Sequence, residues 1–153
     1  MNNDKKELAV AALQHGTVID HIPNTAVFQA VKILGLEDTT HAVTIGSNLA
    51  SSKLGKKGII KVADMVFDDA TLNRIALIAP SAVVNIIKDY EVVEKRMVAL
   101  PDVITGIVRC ENPKCITNNE PMTTKFDVIS HQPVVIRCRY CNHSVSGDKA
   151  KTL

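Results

Sequence analysis

Four cysteines carry the most specific chemistry in this 153-residue chain, and all of them fall between positions 110 and 141. They stand as Cys110-Glu111-Asn112-Pro113-Lys114-Cys115 and Cys138-Arg139-Tyr140-Cys141, a C-x4-C-x22-C-x2-C pattern. Two short knuckles that each present two sulfurs close a tetrahedral thiolate site, and this spacing predicts one Zn(2+) per chain. Four protein ligands leave no position for water or substrate, so such a metal is structural. Two disulfides are the other arrangement open to four cysteines. The opening Met1-Asn2-Asn3-Asp4-Lys5-Lys6-Glu7 is polar with no apolar stretch behind it, which points to the cytoplasm and to reduced thiols. Rubredoxin-type iron takes the same ligands, but the first knuckle is wide and lacks glycine. A redox C-x-x-C would want a βαβ context. His143 reads as a surface residue beside a site already filled by four sulfurs.

The rest of the chain has neither G-x-G-x-x-G nor G-x-x-x-x-G-K-[ST], no nucleophile elbow and no His-Glu metal helix. A ligand there must be held by a sheet. Side chains two apart on a strand share a face. Val18 with Asp20, Ile59 with Lys61, and Asn85 with Ile87 each join an apolar residue to a polar one on a single face. Neighbouring strands would make an apolar floor carrying Asp, Lys and Asn, with His21, Lys95 and Arg96 at its rim. An apolar floor suits a base, an aspartate suits ribose hydroxyls and cations suit phosphates. An ordinary solvated sheet face with scattered charges has the same pattern, and the pattern alone leaves both readings open.

The elements that must position these residues follow from periodicity. Thr17 to Ile22 is a β-branched strand ended by Pro23. Asn24 offers an N-cap to a helix with Val27, Ala30, Val31 and Leu34 on one face, stopped by Gly35. Ala42 to Leu49 reads as a strand, Ser51 to Gly58 as a loop, and Ile59 to Ala63 as the next strand. Asp68 caps a second helix closed by Pro80, followed by strands over 82–88 and 90–97. The order β-α-β-β-α-β with an extra strand is the split βαβ, ferredoxin-like pattern, an α+β sandwich. Pro101 marks a junction, giving domains 1–101 and 102–153. Between the knuckles, Lys125 to Ile129 and Val134 to Arg137 read as short strands turned by His131-Gln132-Pro133, a small zinc-ribbon or rubredoxin-like β domain.

Composition narrows the function classes. The chain is 46% hydrophobic with 18 basic and 16 acidic residues, which excludes a disordered regulator. A net charge of +2 is too small for binding driven by phosphate neutralisation, and 3% aromatics is too few for base stacking, so no nucleic-acid partner is expected. No apolar run approaches the ~20 residues that cross a membrane, so none is expected there either. The first domain carries eleven basic and eleven acidic residues, the second seven and five. Four thiolates around one zinc make the second near neutral, better suited to docking on protein than on phosphate. No nucleophile–base pair supports a stand-alone enzyme.

Gly16-Thr17-Val18-Ile19-Asp20-His21-Ile22-Pro23, Asn85 with Asp89-Tyr90-Glu91-Val92-Val93, and the cysteine knuckles together resemble the signature of aspartate carbamoyltransferase regulatory chains. The likeness runs over nearly the whole length in the same order. It implies a non-catalytic subunit of pyrimidine biosynthesis whose first domain binds ATP and CTP as allosteric effectors and pairs in a homodimer. It further implies a zinc domain that holds the catalytic chain, in a dodecamer of two catalytic trimers bridged by three regulatory dimers. By position, the resemblance implies a nucleotide site of Val10, Ala11, Leu13, Val18, Asp20, His21, Ile59, Lys61, Asn85, Ile87, Tyr90, Val92 and Lys95. Asp20 would face the ribose, with His21 and Lys95 toward the phosphates. Asn112, Lys114, Arg139, Tyr140 and Asn142 would meet the catalytic chain. Ala11, Lys114 and Asn142 depart from the residues of the best-known members, which bears on base discrimination and on the docking contacts.

Overall fold

In the computed structural model, which describes residues 12–153, the β-branched run after Gly16 forms β1 (Gly16–Pro23). A 3-10 turn (Asn24–Ala26) leads into α1 (Val27–Ile33), and Gly35 takes φ 70 just past its end, a left-handed stop that costs glycine little. Then come β2 (Val43–Ser51), β3 (Gly55–Ala63), α2 (Asp69–Arg74), β4 (Val83–Lys88) and β5 (Glu91–Met97). The sheet order is β2-β3-β1-β4-β5, with every neighbouring pair antiparallel. The chain is thus a mixed α+β protein dominated by antiparallel sheets. It divides into two compact units, one ending at Val98 and the other spanning Ala99–Leu153.

Register assigns the two faces of the first sheet. Ile19 lies opposite both Ile60 and Val84, and Thr17 opposite Val62 and Ile86. Ile19, Ile60, Val62, Val84 and Thr17 are all fully buried. Both helices lie on this side. An added Cβ at Gly58 would sit 1.8 Å from Val27 of α1, so only glycine lets the helix settle there. Arg96, opposite Val84, pairs with Asp69 in the first turn of α2. Val27, Ala30, Leu72, Ile75, Ala76 and Ala79 complete this core.

Two local expectations change. Asn24 does not cap α1; its carboxamide joins Ser47 and Asn48 of β2 instead. The stretch 51–58 is mostly strand, because Leu49, Ala50 and Ser51 pair with Lys57, Lys56 and Gly55 in a hairpin. The Ser51 hydroxyl accepts from the N–H groups of Lys53 and Leu54, so the turn needs only three residues.

Asp68 does cap α2, accepting from the Thr71 N–H at 2.8 Å. A bond from the Thr71 hydroxyl, together with that N–H, holds its carboxyl below the usual carboxylate range. A depressed folded pKa stabilises above the unfolded value and loses that contribution as pH falls. Asp68→Ala is therefore expected to melt earlier than wild type at neutral pH, with the gap closing as acid titrates the carboxyl. Calorimetric scans at two pH values check this, and a gap that widens in acid contradicts it.

The second unit contains β6 (Val103–Thr105), β7 (Val108–Arg109), α3 (Ile116–Asn119), β8 (Lys125–His131), β9 (Val134–Cys138), β10 (Ser144–Ser146) and β11 (Lys151–Thr152). A four-stranded sheet runs β10-β9-β8-β6, and β11 pairs with β7. Its core is small: Ile104, Val108, Phe126, Val134, Ile136 and Ala150, with Cys110, Cys115 and Cys138 themselves buried. The turn between β8 and β9 contracts to Gln132-Pro133, joined by a cis peptide bond. No helix among the described residues is long and apolar enough to cross a membrane.

Candidate functional site

The face of the first sheet opposite its helices gathers the paired positions. Val18 lies between Lys61 of β3 and Asn85 of β4, and Asn85 lies opposite Lys95 of β5. Ile87 stands opposite Val92. Val18, Ile59 and Ile87 form a buried cluster of their own, against which Leu13 and Leu49 pack. The apolar floor is therefore real, and Leu49 is a lining residue that the pattern did not mark.

A bulge adds a polar pair. β1 and β3 are in step at Ile19–Ile60 and again at Ile22–Gly58, so Asp20 and His21 together face the single Ile59. His21 absorbs the extra residue at φ 59, and its N–H donates to Oδ1 of Asp20 at 2.6 Å. Lys57 reaches the same oxygen at 2.8 Å. Partial burial raises the Asp20 carboxyl pKa, but the Lys57 bond, the His21 N–H and the charges of both outweigh it, leaving it below the usual range. Burial lowers the Lys61 ammonium pKa, offset in part by the charge of Asp20. Nδ1 of His21 and Oδ1 of Asn85 are buried, and neither has a hydrogen-bond partner among the described residues. Buried polar atoms are normally paired; Nε of Arg96 on the helix side and Oγ1 of Thr124 in the second unit are also buried without a partner among the described residues.

Tyr90 is exposed in the β4–β5 turn, and Val92 and Lys95 are exposed on β5. Arg96 does not join the rim. Strand alternation turns it to the helix side, where Asp69 and Glu94 hold it. Val10 and Ala11 lie outside the described residues. Lys57 lies in β3, within the Ser51–Gly58 stretch whose composition reads as a loop.

The second constellation is the cysteine cluster. Cys110 follows β7, Cys115 precedes α3, Cys138 ends β9 and Cys141 stands in the turn before β10. Their four sulfurs all lie within 4.8 Å of one another. Cys110 to Cys141 is 3.5 Å and Cys115 to Cys138 is 3.7 Å. A disulfide would need about 2.05 Å, whereas a tetrahedron with metal–sulfur bonds of about 2.3 Å has edges of about 3.8 Å. The cysteines are free thiols and the cage fits a metal.

Backbone turns shape each knuckle. The Cys115 N–H donates to the Asn112 carbonyl, the Asn142 N–H to the Cys138 carbonyl and the Cys138 N–H to the His143 carbonyl. Asn142 takes φ 66 to close the second knuckle. The Asn118 carboxamide donates to the carbonyls of both Cys110 and Asn112 at 2.8 Å, a brace that no spacing rule would find. Burial pushes the Cys110 thiol up to about 12 and raises Cys138 as well, with neighbouring thiols adding to both. At Cys141 the opposing burial is outweighed by bonds from Asn112, the His143 N–H and the adjacent thiols, and the pKa falls to about 6. Four crowded sulfurs cannot all ionise by themselves; a bound cation lets them.

Of the residues assigned to docking, Asn112 serves the knuckle, its Oδ1 accepting from the Lys114 N–H at 3.0 Å. Arg139 grips Asp127 with Nη2 at 2.6 Å and Nε at 3.4 Å. Lys114, Tyr140 and Asn142 are exposed.

Comparisons with known proteins agree along the whole chain. Residues 8–99 match the family model for the aspartate carbamoyltransferase regulatory chain, allosteric domain, and residues 102–151 match the metal binding domain of the same chain. An aspartate carbamoyltransferase regulatory chain of Phocaeicola vulgatus is 53% identical over 153 residues, 100% of this chain and 99% of that relative. One from Bacteroides fragilis is 58% identical over 141 residues, 92% of each. One from Pyrococcus abyssi is 50% identical over 145 residues, covering 94% of this chain and 95% of that one. A sheet face with unpaired buried polar atoms, a closed thiolate cage and two matched domains thus converge: the chain belongs to the aspartate carbamoyltransferase regulatory-chain family and is a non-catalytic subunit.

Proposed function

We propose that residues 1–101 bind ATP and CTP on the face built around Val18, Ile59 and Ile87, and that residues 102–153 hold structural zinc and dock on an aspartate carbamoyltransferase catalytic chain in the cytoplasm. The observation that carries the nucleotide reading is the pair of buried, unpartnered atoms, His21 Nδ1 and Asn85 Oδ1, beside an apolar floor. Asp20, held ionised by Lys57, suits ribose hydroxyls, and Lys61, Lys95 and His21 supply donors for phosphate. Val10 and Ala11 would complete the base end. The metal is zinc because four thiolates in a closed tetrahedral cage favour it. Asn112, Lys114, Arg139, Tyr140 and Asn142 surround the knuckles and form the docking surface.

In the assembly this reading implies, regulatory homodimers bridge two catalytic trimers, three dimers to the dodecamer. ATP and CTP shift activity only by binding the two states of that assembly unequally, a coupling of about 1–3 kcal/mol. The direct test is copurification with a catalytic chain followed by activity assays with each nucleotide. A chain that forms no complex, or a complex indifferent to both nucleotides, overturns the reading.

Point variants separate the roles of the cations. Lys95→Ala is expected to weaken ATP and CTP alike, because a phosphate contact is common to both. Lys61 stands beside Val18 on the floor, so Lys61→Ala is expected to change the two affinities unequally. A charge-assisted contact is worth about 1.5 kcal/mol or more, roughly tenfold. Calorimetric titration at fixed magnesium and salt reads both, and unchanged affinities would leave the face an ordinary solvated surface.

A further inference from the structure

Two consecutive N–H groups of the β4–β5 turn are taken up by two consecutive residues ahead of β1. Asp89 N–H donates to Nδ1 of His15 at 3.3 Å, and Tyr90 N–H donates to the Gln14 carbonyl at 3.0 Å. Asp89 and Tyr90 both hold left-handed backbone, φ 51 and 68. A two-residue hairpin turn demands this conformation, but it is one that glycine or asparagine adopts far more readily than tyrosine. Such a turn keeps its shape only if its surroundings hold it. Accepting at Nδ1 places the proton of the neutral ring on Nε2, which lies 3.7 Å from Oδ1 of Asp89. The main chain of His15 is anchored as well, its carbonyl accepting from the Asp64 N–H at 2.9 Å.

This connection ties together two parts of the floor. Leu13, one residue before Gln14, packs on Val18, Ile59 and Ile87. Tyr90 projects from the turn that His15 holds. We infer that His15 is a positioning residue for the nucleotide face, latching the Leu13 segment to the Asp89–Tyr90 turn so that the two set the shape of the site together. The inference rests on the nucleotide reading above. The ring touches no ligand in this scheme; it acts through the turn.

The test uses the full chain with three variants of His15. Asparagine places a carboxamide oxygen where Nδ1 lies, glutamine places its head nearer Nε2, and alanine places nothing. His15→Ala and His15→Gln are expected to weaken ATP binding by about two- to tenfold, and His15→Asn to restore it. Hydrogen exchange of the Tyr90 amide in ligand-free protein should speed up in the first two variants and slow again in the third. A loss of packing alone would not distinguish asparagine from glutamine. Wild type that binds ATP, with His15→Ala binding it equally well or His15→Asn failing to restore it, overturns the latch while leaving the nucleotide site in place. Wild type that binds neither ATP nor CTP overturns the nucleotide reading itself, and the latch falls with it.

Discussion

Cys138→Ser is expected to release the metal and unfold the C-terminal unit while the N-terminal unit stays folded. Cys138 is fully buried at the end of β9, opposite Phe126, the largest side chain of that small core. The serine keeps the volume but offers a poor ligand to a soft-donor cage. Structural zinc contributes about 10–16 kcal/mol in small modules, as much as the entire stability of an ordinary domain. A unit spanning Ala99–Leu153, with six apolar residues at its centre, has no comparable reserve. The N-terminal unit draws its stability from two apolar clusters and no cysteine, so it is expected to keep its own cooperative melt. Elemental analysis for zinc, with amide exchange read separately for the two units, checks this. Fresh reduced wild type without metal, or a Cys138→Ser protein with stoichiometric zinc and full protection, contradicts it.

Gly16→Ala is expected to cost about 3 kcal/mol or more. Gly16 opens β1 at φ +141, a conformation that L residues rarely adopt. A Cβ there would lie 2.1 Å from the Val62 carbonyl oxygen and 3.0 Å from the Asp64 N–H nitrogen. Both are backbone atoms of the neighbouring strand and its exit, so no rotamer change relieves the contact. Gly55 is the control: it also has positive φ, at +80, but nothing lies within 4 Å of its added Cβ. Gly55→Ala should therefore cost only the conformational term, about 1 kcal/mol. Denaturant midpoints of the two variants, at unchanged slope, make the comparison. Equal losses would show that the close approach at Gly16 is relieved by a shift of β3.

Much of the fold and of the candidate site is legible in the sequence. Alternation placed Val18, Lys61 and Asn85 on one face, and the register puts them side by side. The knuckle spacing marked a cage whose sulfurs do converge. The misreadings share a physical cause, since each depends on contacts distant in sequence. Residues 51–58 look like a loop because glycine, serine and lysine are poor strand formers, yet pairing with β2 overrides propensity there. That error hid Lys57, the partner of Asp20. Asn24 has the chemistry of a cap, but Asn48 and Ser47 compete for it from 23 and 24 residues away. Arg96 and Lys95 cannot share the rim, because adjacent strand residues face opposite ways. The short strands β6, β7, β10 and β11 carry too few residues for any periodicity to register.

The extra residue in β1 has a consequence for insertions and deletions in the gene. Ile19 and Ile22 both point to the core with two residues between them, where a regular strand has room for one. Losing the codon for His21 would therefore repair the ladder: Ile19 and Ile22 would keep their seats and Asp20 alone would face Ile59. The shortened chain would still fold, and it would have one polar head on that face instead of two. A deletion between Gly16 and Ile19 would instead put Ile19 out of step with Ile22 and turn a core side chain to the other face. At this position the chain can change length by one residue, and with it the number of polar groups on that face, while Ile19 and Ile22 stay in the core.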